Sequence, residues 1–160
     1  MGDWRTTDLC DEHGTRLRVP LPGLRHFGGN TRFCGPVSTL RCFEDNSRVR
    51  EAVAEPGHGR VLVVDGGGSL ACALFGDLLG AKALGNGWAG VIIDGCIRDS
   101  VVLGELPLGV LARAAVPRRS EKRGLGDRDV ALRMSGVEVR PGDYVYADED
   151  GWIVSEQALA

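Results

Sequence analysis

The stretch Gly90-Val-Ile-Ile-Asp-Gly-Cys-Ile-Arg-Asp-Ser100 decides how the chain is read. Val91, Ile92 and Ile93 form a continuous apolar run, the signature of a strand buried on both faces. The run then meets Asp94-Gly95, which reads as a turn, and Arg98-Asp99 just beyond it. Ligands of open α/β sheets bind outside the carboxyl ends of strands, so this pair is placed where chemistry can occur. Arg98 offers a planar fork suited to a carboxylate or a developing enolate oxygen. Asp99 offers the hard oxygen that magnesium or manganese prefers. The competing reading is an Asp99 N-cap on a following helix with Arg98 paired on the surface.

Working outward, a second buried strand is expected in Arg60-Val-Leu-Val-Val-Asp65, closed by Gly66-Gly67-Gly68. The segment from Ser69 to Gly87 splits at Gly76-Asp77 into a strand over 70–75 and a helix from about Asp77 to Gly85. Strand, helix and strand with short links make a parallel crossover unit. Upstream, a short helix is capped by Thr7 or Asp8 and stopped at Gly14, a strand contains Gly35-Pro36 as a bend or edge feature, and a helix is N-capped by Asp45 or Asn46. Downstream come a short helix after Asp99 and a strand over 106–117. The ending is rich in hairpins, with turns at Pro141-Gly142 and Asp150-Gly151. One α/β domain over residues 1–160 accommodates all of this.

Composition narrows the function classes. A 43% hydrophobic content suffices for a core, and a net charge of −3 argues against a nucleic-acid binder. The basic run Arg118-Arg119 to Lys122-Arg123 is interrupted by Glu121 and reads as a solvated loop. No apolar run is long enough to span a membrane, and the first residues lack a signal-peptide core, so a cytoplasmic protein is expected. Five cysteines without a C-x-x-C pair read as reduced thiols rather than a zinc site. Cys96 is a packing residue or, with a base supplied from afar, a nucleophile. The Gly66–Gly68 turn could cradle a phosphate, as in a nucleotide or S-adenosylmethionine site, or pack closely against a neighbour. If Gly76-Asp77 opens a helix, the Leu78 and Leu79 amides point outward and attract a small anion; otherwise Asp77 caps its own helix.

Asp77 and Arg98 stand in a D-x20-R-D arrangement, alongside VVDGGGS, FGDLLG and GWAGVIIDG. With TTDLCD, FGG, FEDN and RPGDYVYADEDG, these motifs resemble the RraA-like family over nearly the whole chain. That family includes metal-dependent 4-hydroxy-4-methyl-2-oxoglutarate/4-carboxy-4-hydroxy-2-oxoadipate aldolases and regulators of ribonuclease E. The resemblance implies a phosphohistidine-like swivelling β/β/α single domain and a homotrimer with sites near subunit boundaries. It implies an aldolase acting on a small 2-oxo acid through a pyruvate enolate, with oxaloacetate decarboxylation as a side activity. Gly76, Asp77, Leu78, Leu79 and Arg98 would bind substrate, Asp77 and Arg98 would be catalytic, and Asp99 would hold Mg2+ or Mn2+. No direct nucleic-acid or membrane contact is implied. The alternative is a regulator that binds and inhibits ribonuclease E without catalysis. One departure stands out: aldolase members carry an acid three positions past the Asp, where this chain has Val102, and the nearest acid beyond is Glu105.

Overall fold

The apolar runs become the centre of one mixed α/β fold. In the computed structural model, which describes residues 2–159, four strands pair in parallel. They are β2 (Phe33–Arg41), β3 (Val61–Asp65), β5 (Gly90–Ile97) and β6 (Gly109–Ala115). The crossovers between them carry α2 (Ser47–Val53), β4 (Ala73–Phe75) with α3 (Asp77–Gly85), and α4 (Ser100–Glu105). The short β1 (Arg25–His26) pairs antiparallel with β6. The C-terminal hairpin of β10 (Tyr144–Asp148) and β11 (Gly151–Ser155) pairs antiparallel with the start of β2. The strand order is therefore β1-β6-β5-β3-β2-β10-β11. Two small elements complete the sheet work: β7 (Asp127–Arg128) along β2, and the separate hairpin β8 (Leu132–Met134) with β9 (Val137–Val139).

Strand periodicity sorts the core into two layers. Leu62 and Val64 of β3, with Val91 and Ile93 of β5, face α2, α3 and α4 through Val49, Val53, Ala83 and Leu103. The alternate residues Val61, Val63 and Ile92 face the other way, toward Leu132, Val139, Val145 and Trp152. Leu111 of β6 shares that second cluster with Trp152 and Val154 of β11. Since those strands stand far apart in the order, the sheet curls toward closure. A third cluster packs α1 (Thr6–His13) onto β10 and β11 through Trp4, Leu9, Tyr146 and Ile153. The chain adopts the expected α/β class, and the structure sets helices on one side of the sheet and hairpins on the other.

Three local expectations change, and a fourth gains its physical reason. Asp94-Gly95 is no turn: β5 runs through it, and Asp94 is 7% exposed. The pairing steps from Ile93↔Ala112 to Cys96↔Ala114, so β5 holds one extra residue opposite Arg113, a β-bulge. The buried Asp94 carboxylate accepts a hydrogen bond from Arg113 Nε within that bulge. The strand expected over 70–75 is confined to Ala73–Phe75. Helix α1 is not capped by Thr7 or Asp8; Asp148, distant in sequence, accepts from the Thr6 amide at 2.8 Å and from its hydroxyl at 2.7 Å. Gly35-Pro36 lies where β2 exchanges neighbours, pairing with β10 up to Pro36 and with β3 from Val37. Proline's missing donor is tolerated at such a point.

One surface loop is fixed by a buried acid. Asp45, 1% exposed, accepts from the Ser47 amide (2.9 Å) and from the Arg123 amide (2.6 Å). Further bonds join Ala73 N–H to Arg118 O (2.7 Å), Glu121 N–H to Glu44 O (3.1 Å) and Asn46 N–H to Glu121 O (3.2 Å). The basic run is thus sewn to β4 and the start of α2.

These contacts have two measurable consequences. Arg113→Ala strands the Asp94 carboxylate inside the sheet. Breaking one side of a buried pair costs about 3–5 kcal/mol, and partial exposure of Arg113 brings this to about 2 kcal/mol, read as a lower denaturant midpoint. An unchanged midpoint would show the pair to be dispensable. For Asp45, burial alone would raise the pKa, but the hydrogen bonds from Ser47 and Arg123 outweigh it and lower it from 3.8. A depressed folded pKa gives stability that is complete above the unfolded value and lost as pH falls through the folded one. Protection of the Arg123 amide, measured against its intrinsic exchange rate, should therefore fall as pH drops below about 4, and Asp45→Asn should flatten that acid dependence.

Candidate functional site

The ends of β4 and β5 lie side by side, because Ala73 pairs with Cys96 and Phe75 with Ile97. The residues just past each strand end are therefore brought together. The Arg98 amide donates to Phe75 O at 2.9 Å. Gly76 then opens α3, and Asp99 opens α4. Asp99 adopts the left-handed conformation (φ 58°, ψ 43°), which Asp tolerates better than most residues. The Asp99 side chain makes no cap bond to its own helix. Its Oδ2 instead accepts from the Asp77 amide at 3.1 Å and stands 4.0 Å from Arg98 Nε. A Cβ on Gly76 would lie 2.6 Å from that same oxygen, so the absence of a side chain there is what seats the carboxylate.

Gly76, Asp77, Leu78, Leu79, Arg98 and Asp99 all line one cavity of about 240 Å3. The helix start is only partly open to a ligand. The Leu78 amide donates to Asp77 Oδ1 at 2.8 Å, and the Asp77 amide is taken by Asp99. Asp77 thus serves its own helix while also facing the cavity.

The cavity contains residues that sequence reasoning passed over as site residues: Asn46 at the N-cap of α2 and Arg50 within it, Lys82 from α3, and Arg119, Ser120 and Lys122 from the sewn loop. The basic run is therefore a wall of the cavity and not merely a solvated loop. Five cationic side chains (Arg50, Lys82, Arg98, Arg119, Lys122) line the space against two carboxylates. The helical spacings were a usable signal, since Arg50 lies four residues past Asn46 and Lys82 four past Leu78. The basic run could be joined to the site only through its long-range bonds to Glu44, Asp45 and Ala73.

Val102 stands 42% exposed on α4, beside Val101 at 77%, and Leu78 at the cavity edge is 80% exposed. Glu105 does not line the cavity. Among the described residues no group of three or more His, Cys, Asp or Glu could form a closed metal site. One carboxylate beside a cavity does fit a hydrated hard cation, which keeps several waters and takes its remaining oxygens from the ligand.

The other candidates resolve against chemistry. In the glycine-rich turn, Gly67 N–H donates to Asp65 Oδ1 (2.9 Å), Gly68 N–H to Asp94 O (3.0 Å) and Ser69 N–H to Gly66 O (3.4 Å). Those amides are spent internally rather than turned toward a phosphate. Cys96 is fully buried, and burial pushes its thiol pKa up, as suits a packing residue.

The chain is similar to several known proteins. A protein of Laribacter hongkongensis (strain HLHK9), provisionally named 4-hydroxy-4-methyl-2-oxoglutarate aldolase, is 59% identical over 157 residues, covering 98% of this chain and 99% of its own length. A crystal structure from Geobacillus kaustophilus HTA426, described as an S-adenosylmethionine: 2-dimethylmenaquinone methyltransferase, superposes with a TM-score of 0.96 at 48% identity, over 98% of this chain and 97% of that one. The RNA-processing inhibitor RraA from Thermus thermophilis gives 0.94 at 47% identity, over 99% and 96%. The model of the RraA-like family, described as Aldolase/RraA, matches residues 6–154, and the chain belongs to that family.

Proposed function

We propose that this protein is a divalent-metal-dependent aldolase that cleaves 4-hydroxy-4-methyl-2-oxoglutarate, or 4-carboxy-4-hydroxy-2-oxoadipate, to release pyruvate. The observation that carries the reading is the meeting of Asp77, Arg98 and Asp99 in a cavity whose lining is predominantly cationic. Substrates of this class carry two or three carboxylates, which such a lining attracts and orients. The aldolase names of relatives sharing more than half their residues with this chain support the same direction.

In this proposal the first turn of α3 and Arg98 hold the 2-oxo acid end of the substrate at the mouth of β5. A magnesium or manganese ion at Asp99, when bound, supplies Lewis-acid polarisation of the keto oxygen. The Arg98 guanidinium donates hydrogen bonds to the oxygen that gains negative charge as the carbon–carbon bond breaks. Removal of the hydroxyl proton drives that cleavage, and protonation of the enolate completes pyruvate. Oxaloacetate losing carbon dioxide would pass through the same enolate, so decarboxylase activity is part of the proposal. Exposed Leu78 at the cavity edge and exposed Val101 on α4 suit coverage by another subunit, in keeping with a cytoplasmic homotrimer.

A regulator that binds ribonuclease E is the second reading. Two observations favour it: the close match to the Thermus inhibitor, and Val102 where aldolase members place an acid. The methyltransferase description of another neighbour finds no support in this chain's glycine-rich turn, whose amides are already engaged.

A coupled lactate dehydrogenase assay tests the aldolase reading. Pyruvate should form from the hydroxy-oxo acid and from oxaloacetate, and EDTA should stop it. Arg98→Ala and Asp99→Ala should each lower kcat/KM by about 100-fold or more with the fold intact by circular dichroism. Full activity in either variant would sink the site assignment; no pyruvate from the unaltered protein with metal, together with tight ribonuclease E binding, would favour the regulator. Arg119→Ala and Lys122→Ala, which remove carboxylate attraction further from the bond that breaks, should raise KM severalfold and change kcat less.

A further inference from the structure

One buried side-chain acceptor at the cavity has no partner among the described residues. Asn46 is 8% exposed and lines the cavity beside Arg50 and Ser120. Its Nδ2 donates to Leu74 O at 3.3 Å, which fixes the orientation of the amide. Its Oδ1 is buried and accepts no hydrogen bond. An unsatisfied buried acceptor costs about 1–3 kcal/mol, so leaving one at the cavity wall is a liability unless a ligand completes it.

The other lining side chains differ from it in kind. Arg50, Lys82, Arg98, Arg119 and Lys122 are donors only. Asp77 and Asp99 already accept from the Leu78 and Asp77 amides, and Ser120 Oγ donates to Glu121 O at 3.2 Å. Asn46 Oδ1 is thus a buried neutral acceptor with no hydrogen bond of its own, in a cavity otherwise built for anions. It would receive a donor carried by an anionic ligand. A carboxylate or keto group has no such donor; a hydroxyl does.

We infer that Asn46 is a specificity-determining residue whose Oδ1 accepts a hydrogen bond from the 4-hydroxyl of the substrate. The residue selects hydroxylated oxo acids over their unsubstituted counterparts. This rests on the aldolase reading for the identity of the ligand, but the recognition itself is a property of binding. A site built to pair with a hydroxyl discriminates against analogues lacking it, because the protein group is then left unpaired. The bond acts on the bound ground state, so its loss is read in KM and not as a fall in kcat.

The test compares the unaltered protein with Asn46→Leu, which keeps the approximate volume and removes the acceptor, and with Asn46→Asp, which restores one. In kinetics, Asn46→Leu should raise KM for 4-hydroxy-4-methyl-2-oxoglutarate about tenfold, the worth of one hydrogen bond, and leave oxaloacetate within about twofold. Asn46→Asp should recover part of the loss. In parallel, calorimetry in EDTA measures binding of 2-oxoglutarate and 4-hydroxy-2-oxoglutarate without turnover. The unaltered protein should prefer the hydroxylated ligand, and Asn46→Leu should abolish the preference. Equal effects on both substrates, a preference that survives in Asn46→Leu, or no preference in the unaltered protein overturns the assignment. A hydroxyl preference lost in Asn46→Leu, in a protein that releases no pyruvate, upholds the assignment and removes the aldolase reading instead.

Discussion

The buried contact between Asp94 and Arg113 governs where everything else can stand. A carboxylate inside a parallel sheet carries a large desolvation penalty, and only a partner in the same layer offsets it. The bulge supplies that partner, because the extra residue in β5 places Asp94 and Gly95 opposite the single residue Arg113. With the acid accommodated, β5 continues to Ile97 instead of stopping at Ile93. Those last residues are the ones β4 pairs with, so the bulge also determines where Gly76 and α3 begin. Without it, Arg98 and Asp99 would have no fixed position relative to Asp77.

The site is a junction of two crossovers, and its geometry depends on backbone more than on side-chain packing. Asp99 holds a left-handed conformation that costs on the order of 1 kcal/mol, a strain that persists where surrounding structure enforces it. Its enforcers are visible: the Arg98 amide bonded to Phe75 O, the Leu103 amide bonded to Asp99 O, and the Asp77 amide bonded to Asp99 Oδ2. Gly76 contributes through what it lacks. The closeness of Gly80 to Leu103 does the same one turn further along, letting α3 and α4 approach.

Local patterns made much of this legible. The apolar runs announced β3 and β5, the break at Gly76-Asp77 announced α3, and the position of Arg98-Asp99 past a strand announced a site. The features that failed to show were those settled by distant partners. Asp94-Gly95 has the chemistry of a turn, and only Arg113, nineteen positions on, turns it into a strand interior. Thr7 and Asp8 looked like caps, but Asp148 performs that role across 142 positions. The run from Arg118 to Arg123 had the composition of a solvated loop, and it became a cavity wall through amide bonds to Glu44 and Asp45 that no spacing encodes. Long-range hydrogen bonds to backbone leave little trace in composition, because any residue can supply the amide.

Charge distribution joins the fold to its chemistry. The chain carries a net charge of −3, yet the cavity lining is predominantly cationic. Opposite trends in the whole and in one concavity mean that the positive potential is local, and low-dielectric walls concentrate it there. Such a field draws small polyanions. The two carboxylates are not wasted against that field. Asp77 completes the start of α3, and Asp99 is held by an amide and left half-open to the cavity, placed to lend a hard oxygen to a cation. In the proposed reading, donors for carboxylates, one oxygen for a metal and one unpaired amide oxygen would together match the polarity pattern of a hydroxylated oxo acid.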